Sequence, residues 1–310
     1  MPRLFDNPVM GPLFGAITIL SWAGFNVAAK AGIDAGMSPA ALSFLRYLTP
    51  GMFAIPLLIW LRSRATAVRL PIHKLVVLAI LGGPLFGLIA VAGYQFAPLS
   101  YGLLFAPVAV FVSGTLLGML LLQEHVAAPR LLGALIMFGG LSLLVGIETT
   151  GVGESWLMGV GLFVTAGTMW GAYTVLLRHW QIPVLEGTST IASFGAILAA
   201  IALAPFALPS LSETELPMLL TQVAMQGFVG GILSVVALVA ALQRLSTQTA
   251  ALLPTFTPAV AMMIAWVALG TKPETMELVG TLVIFLGFAL AARKKFVLAA
   301  TPARHLVTKS

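Results

Sequence analysis

The chain reads as a series of long apolar runs separated by short polar joints. A helix that crosses the hydrocarbon core of a bilayer needs about 20 apolar residues. On that basis spans are predicted near Val9–Ala29, Ser38–Leu61, Lys74–Phe96, Leu99–Leu122 and Pro129–Ile147. A second set is predicted near Trp156–Leu177, Gly187–Leu208, Pro217–Leu242, Thr247–Leu269 and Met276–Ala292. The runs are continuous and rich in Leu, Ala, Gly and Phe, so they predict helices and not the alternating strands of a barrel. The join Ala97-Pro98-Leu99 carries no charge, and a tight corner and one long kinked span are its two readings. The run that follows Arg3 and Asp6 is too long for a signal-peptide core and is read as the first anchor.

Charge tests that count. With the N-terminus in the cytoplasm, 13 of the 16 Lys and Arg residues fall in inside segments, among them Arg62, Arg64, Arg69, Lys74 and Arg293-Lys294-Lys295. Lys30 and Lys272 alone fall outside, and Arg46 lies within a span. Basic residues collect on the cytoplasmic side of membrane proteins. Ten spans in a cell inner membrane, with both termini cytoplasmic, therefore fit best. A nine-span version would put the second-half positives and the tail on conflicting sides.

The two sets of spans resemble one another. A shift of 148 residues places Gly11 on Gly159, Trp22 on Trp170 and Val27 on Val175. A shift of 147 places Gly83 on Gly230, Pro107 on Pro254, and Gly133 and Gly140 on Gly280 and Gly287. Five spans per half means that the second half starts on the opposite face, so the expectation is two inverted five-helix repeats, 1–150 and 151–310. Many secondary transporters are built this way, with the substrate site near the midplane between the halves. The paired glycines predict close helix contacts, as do Gly11 with Gly15, Gly114 with Gly118 and Gly227 with Gly231. Pro107, Pro254 and Pro258 are expected to bend their helices.

Composition narrows the chemistry. Hydrophobic residues make up 59% of the chain and charged ones 8%, with a mean hydropathy of +1.04; a soluble domain carries roughly a quarter charged residues. The net charge of +6 follows from topology, so no nucleic-acid partner is expected. There is no cysteine, and the four histidines sit near span ends or in the tail, so neither thiol chemistry nor a metal site is expected. No phosphate-binding loop is present, and no cofactor is implied.

The Ser21-Trp22 step, Phe44-Leu45-Arg46-Tyr47, Leu120-Leu121-Leu122-Gln123-Glu124 with Leu131-Leu132-Gly133-Ala134-Leu135, and Ala241-Leu242-Gln243-Arg244 through Pro258-Ala259-Val260 together resemble the drug/metabolite transporter superfamily, EamA type. Within it, the chain is most similar to YddG-like amino-acid exporters. The resemblance implies two five-helix repeats around a central cavity lined by helices 1, 3, 4, 6, 8 and 9. The chain departs from the family pattern at Gln123-Glu124 and Gly270-Thr271, where a Gly-Glu step is common.

Polar side chains inside the spans are the candidate substrate-binding residues. Arg46 is the one full charge, and such a group costs several kcal/mol unless water or a partner reaches it. It reads either as the counter-charge of a substrate carboxylate or as a structural cap for carbonyls. Trp22 and Asn26 lie four apart on one helix face, and Trp170, Tyr173 and Thr174 occupy the related place in the second half. Tyr94, Tyr101 and Gln248 complete the set, with Gln95 and Thr255 as weaker members. For all of these, ordinary packing is the competing reading. The function expected is a secondary exporter or facilitator of small metabolites, amino acids including aromatic ones foremost. Export of lipophilic cations is disfavoured because no acid lies deep in a span. An intramembrane enzyme is disfavoured because no catalytic constellation exists, so no catalytic residue is assigned.

Overall fold

The computed structural model describes residues 9–62, 71–145, 155–182, 184–245 and 247–292. The basic joint after Arg62, the stretch from Glu148 and the tail from Arg293, on which the charge reading rests, lie outside them. The described residues form ten helical runs and no strand. They are α1 (Met10–Asp34), α2 (Pro39–Arg62), α3 (Ile72–Gln95), α4 (Leu99–Leu122), α5 (Ala128–Val145) and α6 (Trp156–His179). Next, α7 comprises Val184–Leu198, a π-helical Ala199–Leu203 and Ala204–Glu213; α8 comprises Leu216–Gln222, a π-helical Val223–Leu233 and Ser234–Leu242. The last two are α9 (Thr247–Leu269) and α10 (Thr275–Ala291). Six stretches are long and apolar enough to cross a membrane, and Ala128–Leu143, Leu253–Leu269 and Thr275–Ala291 are shorter apolar helices. The uncharged join at Pro98 is a corner: helix stops at Gln95 and restarts at Leu99.

Small residues decide how the helices touch, because lipid supplies no hydrophobic force between them. On α5 a Cβ at Gly133 would sit 2.5 Å from the Gly287 carbonyl, and one at Gly140 would meet Ile284 and the Gly280 carbonyl. The expected glycine pairs thus face each other, and α5 runs antiparallel to α10. Along α2, the Ser38 N–H donates to Ser210 Oγ at 2.9 Å while Gly51 packs on Ala192 and Ala196, so α2 and α7 are also antiparallel. By contrast, Gly167 meets Ala106 and Gly171 meets Ser113, which makes α6 parallel to α4. Gly11 meets Leu245 and Gly15 meets Leu253, which makes α1 parallel to α9. Gly227 and Gly231 approach Thr49 and Pro50, as close-contact glycines should. Gly114 takes part in the close approach of α4 and α6, its backbone N lying 3.1 Å from a Cβ at Gly171, whereas Gly118 meets only the Glu124 side chain.

Helix continues through Pro107 in α4 and through Pro254 and Pro258 in α9. Irregular backbone occurs in α3, α7 and α8. In α3 the backbone turns extended at Gly83 (φ −96°, ψ −157°) just before Pro84. Carbonyls freed at such a break need new donors in a dry interior. Tyr47 Oη donates to the Gly82 carbonyl at 2.9 Å and Ser43 Oγ to the Pro84 carbonyl at 2.9 Å, both from α2. In α8 the π-helical stretch spans the position that a 147-residue shift gives Gly83, namely Gly230.

Helix ends repeat between the halves as well. Past α1, Gly36 (φ 88°) lets Met37 N–H reach the Gly32 carbonyl and Gly36 N–H the Ile33 carbonyl. Past α6, Gln181 (φ 55°) makes the same pair, Ile182 to Leu177 and Gln181 to Arg178. This is the left-handed closing turn of a helix. A second such match ends α4 and α9, at Gln123 (φ 55°) and Gly270 (φ 71°), which are 147 residues apart.

Candidate functional site

The first cluster lies where α1, α2 and α3 meet. Trp22 and Asn26 share a face of α1, and Asn26 Nδ2 donates to the Trp22 carbonyl at 2.8 Å. From α3, Tyr94 Oη donates to Asn26 Oδ1 at 3.0 Å. Tyr94 is held in place by Phe163 of α6, with ring centroids 5.0 Å apart. It also leans on Gly102, where a Cβ would fall 2.5 Å from its ring. Arg46 of α2 places its guanidinium carbon 4.1 Å above the Phe25 ring. Tyr47 bonds it and Tyr94 lies near enough to feel its charge. Among the described residues the ion pairs join Lys30 to Asp34 and Glu124 to Arg130 and Arg178, so Arg46 has no carboxylate partner. A cation–π contact stabilises a cation by about 0.5–2 kcal/mol. That does not offset the several kcal/mol of desolvation for a charge inside a membrane. Arg46 is thus a half-buried cation that calls for water or an anion.

The second cluster is aromatic. Trp170 of α6 is 37% exposed. It stacks on Phe86 of α3 at 5.1 Å and on Tyr173 at 4.9 Å. Tyr173 is buried against Gly82 at the α3 break, the residue whose carbonyl Tyr47 bonds. Tyr47 therefore joins the two clusters. Thr174 turns inward on its own helix, donating from Oγ1 to the Gly171 carbonyl at 2.8 Å. It has no equivalent of the Asn26–Tyr94 bond.

Of the remaining expected site residues, Tyr101 lies 1% exposed, stacked on Phe105 at 5.5 Å with Trp156 edge-on at 6.1 Å; it is packed in the core, not beside Arg46. Gln248 falls on α9, but its side chain lies outside the described residues. Gln95 is exposed and Thr255 buried.

Sequence reasoning passed over two residues that the fold makes prominent. Gln222 and Gln226 of α8 are both 0% exposed. Gln222 Nε2 donates to the Ala28 carbonyl at 2.7 Å, and Gln226 Nε2 donates to the Phe25 carbonyl at 2.9 Å and to Gln222 Oε1 at 3.3 Å. Two amides four apart in an otherwise apolar span were the available signal.

A charged cluster lies at the opposite end of the bundle from Tyr94. Glu124, just past α4, bonds Arg178 at the end of α6 and lies 3.9 Å from Arg130 of α5. Arg130 Nε also donates to Thr115 Oγ1 at 3.0 Å. Partly exposed pairs of this kind contribute about 0–1 kcal/mol each. Among the described residues no group of His, Asp or Glu could hold a metal ion.

Residues 157–293 match the model of the EamA-like transporter family. The second half of the chain is thus EamA-like, as the resemblance read from the sequence implied, and that family indicates a multi-pass membrane transporter of small solutes. No curated protein matches the chain. A solved crystal structure 19% identical in sequence covers 91% of this chain and 95% of its own, with a TM-score of 0.63, a likeness of fold.

Proposed function

From an EamA-like second half, we propose that the chain is a secondary transporter of small metabolites, foremost amino acids including aromatic ones. It works in the cell inner membrane by alternating access. In this reading the ten helical runs are ten spans, both termini are cytoplasmic, and residues 1–150 and 151–310 are inverted repeats. The helix pairing supports the inversion. Exchanging the halves turns the parallel pair α4–α6 into α9–α1 and carries the antiparallel pairs α2–α7 and α5–α10 onto themselves. An axis lying in the membrane plane has this effect. The irregular stretches of α3 and α8 fall in corresponding places, and such interrupted helices flank the substrate in transporters of this build.

The observation that carries the substrate class is Arg46: a cation inside the bundle with no carboxylate partner. An aromatic shelf of Trp170, Phe86 and Tyr173 adjoins it through Tyr47. A substrate carboxylate would compensate the charge, and an apolar side chain would lie on the rings. Tyr94, near the guanidinium, bonds Asn26, which shares a face of α1 with Trp22. No acid lies in the described spans near this cluster, so transport runs down the substrate's own gradient, by facilitated diffusion or exchange. The test is uptake of labelled L-phenylalanine by proteoliposomes loaded with unlabelled L-phenylalanine, against protein-free liposomes. Uptake above the blank, competed by other amino acids, supports the reading; uptake equal to the blank sinks it.

A further inference from the structure

The amide of Gln226 is oriented by its bonds. Its nitrogen is committed to the Phe25 carbonyl and to Gln222 Oε1, so the oxygen must point the other way. That oxygen, Gln226 Oε1, is buried and has no hydrogen-bond partner. Leaving a buried acceptor unpaired costs about 1–3 kcal/mol. Such costs persist where a partner arrives later, and unpaired buried groups call for an explanation of that kind.

The surroundings point to what arrives. Phe25 carries both halves of a potential site: its carbonyl receives the Gln226 amide and its ring lies 4.1 Å under the Arg46 guanidinium. A Cβ at Gly230 would rest 3.1 Å from the same ring. Gly227 packs on Thr49, one turn along α2 from Arg46. The π-helical stretch that holds Gln226 is thus wedged between Phe25 and the Arg46 face of α2. A cation without a carboxylate partner and an acceptor without a donor, both set against Phe25, are the complement of a zwitterion.

We infer that Gln226 Oε1 accepts the α-ammonium group of a substrate whose carboxylate pairs with Arg46, so that Gln226 selects amino acids over the corresponding carboxylic acids. This rests on the amino-acid reading above. With the oxygen fully buried, the substrate reaches it when α8 parts from α1 and α2, and the bond it then makes offsets the cost of that separation. Alanine-sized and aromatic amino acids share this head group, so the subsite is indifferent to the side chain.

The experiment compares L-phenylalanine with 3-phenylpropionate, which lacks only the amino group, as competitors of labelled L-phenylalanine uptake in proteoliposomes. The wild type and Gln226→Met are measured in parallel. The preference for L-phenylalanine should fall about tenfold or more in the variant, the loss expected for one hydrogen bond to a charged group. The preference is a ratio within one preparation, so a lower yield of folded variant leaves it unchanged. An unchanged preference in a variant that still transports overturns the inference and leaves the amino-acid reading intact. Equal weakening of both competitors also overturns it, since Gln226 would then act only through Arg46. A wild type that takes up no L-phenylalanine overturns the amino-acid reading itself, and the subsite with it.

Discussion

The two halves place a tryptophan and a small polar residue at matching positions and then use them differently. In the first half, Asn26 of the Trp22 pair is drawn into a chain with Tyr94, next to the Arg46 cation. In the second, Thr174 of the Trp170 pair satisfies itself on its own helix, and Trp170 joins Phe86 and Tyr173 in a stack. On the proposed repeat the positions correspond and the side-chain chemistry differs. A symmetric pair of sites would bind a symmetric ligand. A polar side facing an aromatic side suits a molecule with a charged head and an apolar body, held in one orientation.

The largest effect should come from removing the charge on the polar side. Arg46→Gln is expected to lower L-phenylalanine uptake about 100-fold, in line with the 2–5 kcal/mol lost when one partner of a buried charge pair is truncated. It should do the same for L-alanine, because the head group is common to both. An Arg46→Gln protein that elutes as a folded monodisperse species and transports normally would make Arg46 a structural cap.

A smaller and more selective effect is expected on the aromatic side. Trp170→Ala should raise KM for L-phenylalanine about tenfold, from lost ring contact worth roughly 0.5–1.5 kcal/mol beyond area, while leaving L-alanine within about twofold. Trp22→Ala should impair both substrates alike. Identical profiles for the two variants would erase the proposed division between halves.

The smallest contrast concerns the two hydroxyls. Tyr94→Phe leaves Asn26 Oδ1 without its donor and should cost about fivefold in uptake, the scale of one neutral hydrogen bond. Thr174→Val loses only a bond to its own helix and should stay within about twofold. A larger effect at Thr174 than at Tyr94 would reverse the comparison.

Much of the fold was legible in the sequence because lipid is an exacting solvent. Apolar runs of the right length anticipated the positions of the helices, and the glycines expected to permit close approach, Gly133 and Gly140 of α5 and Gly280 and Gly287 of α10, do meet. At the interruption before Pro84, Tyr47 of another helix is there to bond the freed Gly82 carbonyl. Gly118 departed from expectation because a small-residue spacing permits close approach but does not supply a neighbour.

For the site, the sequence by itself picked out Arg46, Trp22, Asn26, Trp170 and Tyr173, because a charge or paired polar–aromatic residues are costly in an apolar span and therefore stand out. It could not say that Tyr94 would reach Asn26 while Tyr101 would pack with Phe105 and Trp156, since both tyrosines lie on similar apolar helices. Nor could it single out Gln226, whose nitrogen is spoken for and whose oxygen is left open. Hydropathy is a property of each residue against its solvent and can be read along the chain. Hydrogen-bond partners between helices depend on which helices cross and at what height, and only the tertiary structure decided that.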